Sequence, residues 1–469
     1  MDRRSFLSGL AFFSGGLALA GTSLSRRAMA IETIRDFESL RAYGYGELVP
    51  TAAKNTGEII LALPRGFEYD VIGRVKGMMS DGRPTPPLHD GQWTFKVGKE
   101  LRIVRNHEVS NLSLPRENAG IGSRNHYDEM AGGGTTTLVI DQKTNKVVRD
   151  WVSLSGTLIN CAGGPTPWGS WISCEETTLG KTVRTRADGR KTGGFPKRHG
   201  YCFEVPAAAN SEVIPVPLKA MGRFVHEAVA VDRKTGVVYL TEDFNPSGFY
   251  RFIPRRKGRL SEGGALQMLA IEGKPAYDTR TGQKMGQHAL AARWVTIDNP
   301  DPEAADVDPI AVHKQGAAKG GAAFSRLEGC EIDKNGNVYF TSTSGGNTRG
   351  GQIWIFSPDG SERGYLKLAF ESPAPDILHM PDNIAMMPKT GLLFVCEDSD
   401  YGGQKAVNHL RILTLGGQMA NFARNINKDF PRSEFAGSCF SPDGGTLFVN
   451  SQTAGVTLAI RGDWSNFRS

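Results

Sequence analysis

Cysteine and histidine are scarce in this chain, with six and nine residues respectively among 469. The six thiols, spread from Cys161 to Cys439, do not read as a disulfide framework, because a chain this long can bury a core without one; most read as buried small hydrophobes, and Cys161 is the exception. Acids and bases nearly cancel, 49 against 55, for a formal charge of +6. Residues 1–30 carry four of the arginines and one aspartate, so the rest stands at +3. A balance so small and scattered leaves no footprint for nucleic acid. No apolar run approaches the ~20 residues that cross a membrane. Several catalytic signatures are also missing. There is no Gly-x-Ser-x-Gly elbow and no Walker loop. His226-Glu227 runs on into Ala228-Val229-Ala230, so no His-Glu-x-x-His exists. Arg105-Asn106-His107-Glu108 is similar to the Asn-His-Glu of dinuclear metallophosphatases but lacks their Asp-x-His partner.

What is present is glycine, 57 residues of it, with 25 prolines, a composition of many turns and short strands. The N-terminus reads as an address. Asp2-Arg3-Arg4-Ser5-Phe6-Leu7 matches a twin-arginine signal, a weakly apolar run follows from Leu10 to Leu24, and Ala28-Met29-Ala30 fits a cleavage site. Residues 1–30 are therefore expected to be a twin-arginine signal peptide read by the export machinery. The mature chain is expected to be periplasmic or secreted, without stable membrane insertion. Export of an already folded protein lets metals be loaded in the cytoplasm.

Beyond residue 58 the chain repeats. The clearest unit is NCAGGPTPWGSWISCEE, Asn160 to Glu176, in which fifteen residues separate Cys161 from Glu176. The same step leads from Glu227 to Glu242, from Glu328 to Thr343, from Asp382 to Glu397 and from Gly437 to Gln452. Backwards from Glu108 it reaches Trp93, which carries no acid. Each unit alternates apolar strand, turn and apolar strand, and the later units recur every 54–55 residues. Repeats of this length with four short strands are propeller blades. Trp93, Cys161, Glu227, Glu328, Asp382 and Gly437 count six of them. The expected fold is thus all-β, a single six-bladed β-propeller over residues 31–469 with an insertion at about 257–325. A short helix is expected near Asp36–Ala42 and another over Gln283–Arg293, and Lys181–Lys197 reads as a basic, solvated loop.

Blade repeats bring equivalent strand starts together at the channel mouth. A single carboxylate at a strand end reads as a turn cap facing water. Acids kept in register across repeats read as one polyvalent metal site, because like charges brought together resist ionising unless a cation sits among them. Cys161, Glu227, Glu328 and Asp382 share one position, and Glu108, Glu176, Glu242 and Glu397 another. Carboxylates with one thiolate and little histidine are unlike a zinc site. Oxygen-rich ligation suits calcium, and a thiolate beside carboxylates suits iron. His107 and His226 each precede an acid, so strand alternation should turn them away from it.

NCAGGPTPWGSWISCEE, RFVHEAVAVD, RLEGCEID and PDNIAMM, together with the export signal, resemble the PhoX family of bacterial alkaline phosphatases. The likeness runs from LPRGFEYDVIG to GVTLAIRGDW. It implies a six-bladed propeller carrying an iron–calcium cluster at one mouth of the central channel and cleaving phosphomonoesters outside the cytoplasm. By motif, Cys161, Glu227 and Glu328 would be iron ligands, with Glu176, Asp382 and Glu397 completing the iron–calcium cage. Arg326, two residues before Glu328 and so on the same strand face, would hold phosphate. The sixth repeat departs from the pattern, with Gly437 and Gln452 where other repeats have acids. Two other classes remain open on the sequence: a calcium-dependent lactonase-type propeller hydrolase and a non-catalytic propeller that binds a partner.

Overall fold

The computed structural model describes residues 47–110, 125–185, 189–398, 407–414 and 416–466. The expected signal peptide and the helix near Asp36–Ala42 lie outside the described residues. Among the described residues the fold is all-β and propeller-like, with one α-helix, Ala311–Ala318. Six strands form its centre: His89–Val97, Asn160–Pro165, His226–Val231, Leu327–Ile332, Pro381–Met386 and Phe435–Phe440. Each packs on the next and the last returns to the first, so they form a closed ring. Glycine permits this closeness. A Cβ on Gly164 would lie 1.9 Å from the Val229 carbonyl oxygen, and one on Gly329 would lie 2.4 Å from that of Asp382.

Sheets extend outward from the ring, but they are not six equal units. Four-stranded sheets start at His89–Val97 and at Phe435–Phe440, and a three-stranded sheet at Asn160–Pro165. Two ring strands, His226–Val231 and Leu327–Ile332, are the opposite ends of one nine-stranded sheet, because Leu290–Thr296 pairs with Arg363–Glu371. The strand Pro381–Met386 heads a six-stranded sheet whose far edge is Leu48–Thr51 and Leu61–Pro64. The segment 257–325 is therefore partly sheet, supplying Gly264–Ile271 and Leu290–Thr296. The helix expected over Gln283–Arg293 does not form. Its C-terminal part starts the strand Leu290–Thr296, and the actual helix comes later, at Ala311–Ala318.

The last sheet joins the two ends of the chain. Glu68–Arg74 pairs antiparallel with Val456–Arg461, so its four strands come from opposite ends of the sequence. Phe67, Phe394, Phe422, Phe440 and Trp464 pack edge to face or tilted behind this seam, with centroids 4.9–6.1 Å apart. Opening the ring would expose this aromatic cluster, which gives the closure its hydrophobic driving force.

Candidate active site at the channel mouth

The ring strands share one irregularity. Their pairing with the neighbouring strand slips just after the start, between Asn160 and Gly163, His226 and Val229, Leu327 and Cys330, Pro381 and Ile384, and His89 and Gln92. In the sixth strand the slip comes one pair later, between Ala436 and Cys439. A β-bulge leaves its extra residue unpaired and re-aims the side chain. The residues so placed are Asp90, Cys161, Glu227, Glu328 and Asp382.

A backbone hydrogen bond repeats beside each bulge. The amides of Glu108, Glu176, Asp243, Thr343, Asp398 and Gln452 donate to the carbonyls of Leu88, Ile159, Val225, Arg326, Met380 and Glu434, at 2.8–3.2 Å. This defines the true equivalence between repeats, and it corrects the constant fifteen-residue step in four units, which becomes 16 from Glu227 to Asp243, from Asp382 to Asp398 and from Ala436 to Gln452, and 18 from Asp90 to Glu108. Loops 232–237 and 387–392 hold six residues, against five in 333–337, so the spacing grows by one. A one-residue slip on a strand moves a side chain to the opposite face. Asp243 and Asp398 therefore occupy the positions assigned to Glu242 and Glu397. In the first repeat the acid is Asp90, not the missing acid at Trp93.

Glu397 accordingly does not reach the cleft. It is buried and accepts from the backbone amides of His379 and His409, each at 2.9 Å, and from Arg411 Nε at 2.8 Å. Burial alone would raise its pKa, but Arg411 and His409 outweigh that and hold it below the usual range. Glu242 likewise accepts from Gly248 N and the Tyr250 hydroxyl, each at 2.8 Å. Glu175, next to Glu176, accepts from the amides of Leu158, Gly200 and Tyr201 and from His199 Nδ1. In all three acidic pairs the first carboxylate ties down the scaffold and the second faces the mouth.

The mouth opens into a cleft of about 720 Å³. Its lining includes five of the residues assigned to the metal site, Cys161, Glu176, Glu227, Glu328 and Asp382, together with Arg326. It also includes Glu108, Asp243, Asp398 and Glu434. Glu434 was missed in the sequence. It precedes the sixth ring strand at the position equivalent to Arg326, so this repeat supplies an acid after all. Single ligating atoms of Cys161, Glu176 and Glu227 lie within 4.8 Å of one another, as do those of Asp90, Glu108 and Cys161. Cys161 is the one cysteine of the six that is not fully buried.

Burial and mutual repulsion push these groups toward their neutral forms. Burial comes first, and neighbouring carboxylates add to it, in raising Glu108, Glu176, Glu227, Asp382 and Glu434 well above the ordinary carboxylate range. Burial also takes Asp90 to about 7, and Glu328 to about 8 although Arg326 opposes it. The Cys161 thiol rises well above its usual value through burial and then the field of Asp90, Glu227 and Glu176. Both carboxylate oxygens of Glu227 are buried without any hydrogen-bond partner. An arrangement this rich in anionic donors and this poor in donated protons suits polyvalent cations.

Arg326 has φ 49°, and Leu88, Ile159 and Met380 at equivalent positions have φ 51–54°. This left-handed turn sends the chain into the ring strand. The guanidinium forms a two-point pair with Asp243, Nε–Oδ1 3.0 Å and Nη2–Oδ2 3.1 Å, and also pairs with Glu328. His107 and His226 face away from the cleft. His107 contacts the Pro87 carbonyl and Thr136, and His226 the Gly222 carbonyl and Cys202 Sγ.

The fold and this cleft define an all-β, propeller-like protein with an acid-lined channel mouth. Within that class the chain belongs to the PhoX family: the model described as Alkaline phosphatase PhoX matches residues 43–150 and 143–455. Among solved structures it is similar to PhoX of Pseudomonas fluorescens, determined in complex with vanadate, at 18% identity and TM-score 0.66, covering 89% of this chain and 98% of that one. A gluconolactonase of Xanthomonas campestris aligns at 12% identity and TM-score 0.40, over 89% and 98% of the two chains. A protein of unknown function from Dyadobacter fermentans aligns at 11% and 0.42, over 84% and 99%. No curated protein matches the sequence.

Proposed function

We propose that this chain is a metal-dependent alkaline phosphatase that hydrolyses phosphomonoesters outside the cytoplasm and releases inorganic phosphate. Family membership carries the reaction class. The observation that supports metal dependence is Glu227, whose two buried oxygens lack partners beside Cys161 and Glu176. Iron and calcium are the ions this donor set favours, a thiolate for the first and clustered carboxylates for the second. Cys161, Glu176, Glu227, Glu328 and Asp382 would hold them, joined by Asp90, Glu108, Asp398 and Glu434 in place of Glu397. Bound there, the cations would supply positive charge to the nonbridging oxygens of a phosphoryl group in transfer.

The chain's own residues do the rest. Arg326 is assigned to orient the phosphate, since a guanidinium matches its geometry with parallel donors. Asp243 fixes the guanidinium plane from one side and Glu328 from another. The relative from Pseudomonas fluorescens was captured with vanadate, a transition-state analogue, and an equivalent complex is expected here. Counting blades by ring strands gives a six-bladed propeller, which the closed six-strand ring supports. Delivery through the twin-arginine route to the periplasm or beyond rests on Arg3, Arg4 and the segment that follows.

Metal analysis of the natively exported protein, beside a phosphomonoester assay, tests the proposal. Iron and calcium should be present, and Cys161→Ser should lose iron because a hydroxyl is a poor anionic ligand near neutral pH. Cys202→Ser should keep both metals. Full metal content in both variants, or activity indifferent to a calcium chelator, would overturn the metal assignment.

A further inference from the structure

The basic segment 181–197 is solvated only in part: among its described residues Lys181, Arg190, Lys191 and Lys197 are exposed, whereas Arg184 is half-buried and Thr192 and Phe195 are buried. Thr182 is tied to Asp306 through its amide and hydroxyl, at 3.3 and 3.1 Å. Phe195 is 1% exposed and packs with Ala131, Leu158 and Leu179. Its amide donates to the Gly180 carbonyl at 2.9 Å. The short strand Arg184–Thr185, paired with Lys191–Thr192, is thereby held against the mouth, and Arg184 lines the same cleft as the acids.

Arg184 differs from Arg326, the other cation among the described lining residues. It is half-buried and donates Nη2 to the Ala305 carbonyl at 3.1 Å, while its buried Nε has no hydrogen-bond partner. Among the described residues no carboxylate pairs with it. The two nearby acids are already engaged, Asp306 by Arg223 and Asp308 by Lys314. A half-buried guanidinium with an unmet donor is costly unless an anion arrives. The lining of the cleft also carries the apolar Leu179, Val225, Phe244 and Pro309, with Thr177, Thr178 and Asn245 among them. At about 720 Å³ the cleft also far exceeds what one phosphoryl group fills, and it falls within the range for whole small-molecule ligands.

We propose that Arg184 and these side chains form the leaving-group subsite, and that the preferred substrates are phosphomonoesters whose organic leaving group carries a second anion, a carboxylate or a phosphate. The inference rests on the phosphatase reading and adds its substrate class. Arg326 and the acid floor take the phosphate that is cleaved. Arg184 binds the anion that stays on the leaving group, and the apolar side chains cover the body between them.

Three substrates with the same phosphorylated sixth carbon test this: glucose 6-phosphate, 6-phosphogluconate and glucose 1,6-bisphosphate. The protein should favour one or both of the last two over the first by ~10-fold or more in kcat/KM, with the difference in KM. The better of the two tells a carboxylate preference from a phosphate preference. In Arg184→Gln that preference should shrink by ~10- to 100-fold, the worth of a hydrogen bond to a charged group. Arg184→Lys should restore part of it. No preference in the parent protein, or an unchanged ratio in Arg184→Gln, would overturn the subsite. Failure to hydrolyse any of the three would instead refute the phosphatase reading, and this inference with it.

Discussion

His199 gives the fold a measurable dependence on pH. The imidazole is fully buried between Glu175, 2.6 Å from Nδ1, and Asp128, 3.5 Å from Nε2. Burial alone would lower its pKa, but the two carboxylates prevail and raise it from 6.5 to about 9. A group whose folded pKa lies above its unfolded value contributes stability that is complete below the unfolded pKa and is lost as pH rises through the folded one. Here the window runs from about 6.5 to about 9. A rise of that size, at 1.36 kcal/mol per pKa unit, corresponds to about 3 kcal/mol. His199→Gln removes the cation between two carboxylates that keep only their backbone donors, Leu158, Gly200 and Tyr201 for Glu175 and Met130 and Lys197 for Asp128, which should cost about 3 kcal/mol at pH 6. Urea unfolding of both proteins from pH 6 to pH 10 at constant ionic strength isolates the effect, since other titrating groups cancel in the difference. The gap between the two proteins should narrow by about 3 kcal/mol across that range. A gap that stays constant with pH would refute the charged imidazole bridge.

Three further outcomes follow from the site. Asp398→Asn should lower metal content and turnover with little loss of stability, whereas Glu397→Gln should keep metal in the folded protein but destabilise it by about 3 kcal/mol by weakening the Arg411 pair; reversed phenotypes in metal analysis and thermal melts would restore the fifteen-residue register. Arg326→Lys keeps the charge but loses the two-point pair with Asp243, and should lower kcat by ~10²-fold and weaken phosphate inhibition; unchanged kinetics would remove Arg326 from the reaction. Changing Arg3 and Arg4 together to Lys should leave precursor in the cytoplasm, and normal periplasmic appearance by cell fractionation would rule that export route out.

The repeat, and the chemistry concentrated in it, are legible along the chain alone. Strand–turn–strand periodicity yields an all-β chain, and acids recurring in register single out Cys161, Glu176, Glu227, Glu328 and Asp382, all of which the fold brings to one cleft. Those features are local, set by alternation along a strand and by motif spacing. Tertiary structure decided what depends on loop length and on pairing between distant segments. A turn longer by one residue moves Asp398 to the mouth and Glu397 into the scaffold. A bulge three residues before Trp93 puts Asp90 at the first position, and Glu434 enters the cleft from the turn before the sixth ring strand, the position Arg326 holds in its own repeat. The nine-stranded sheet depends on Leu290–Thr296 meeting Arg363–Glu371, a contact that no local pattern encodes. Arg184 shows the same limit. Its neighbourhood reads as a solvated basic loop, and packing of Phe195 on Ala131 and Leu158, with the Thr182–Asp306 hydrogen bonds, holds it in the cleft, because burial is a property of what lies opposite a residue in space.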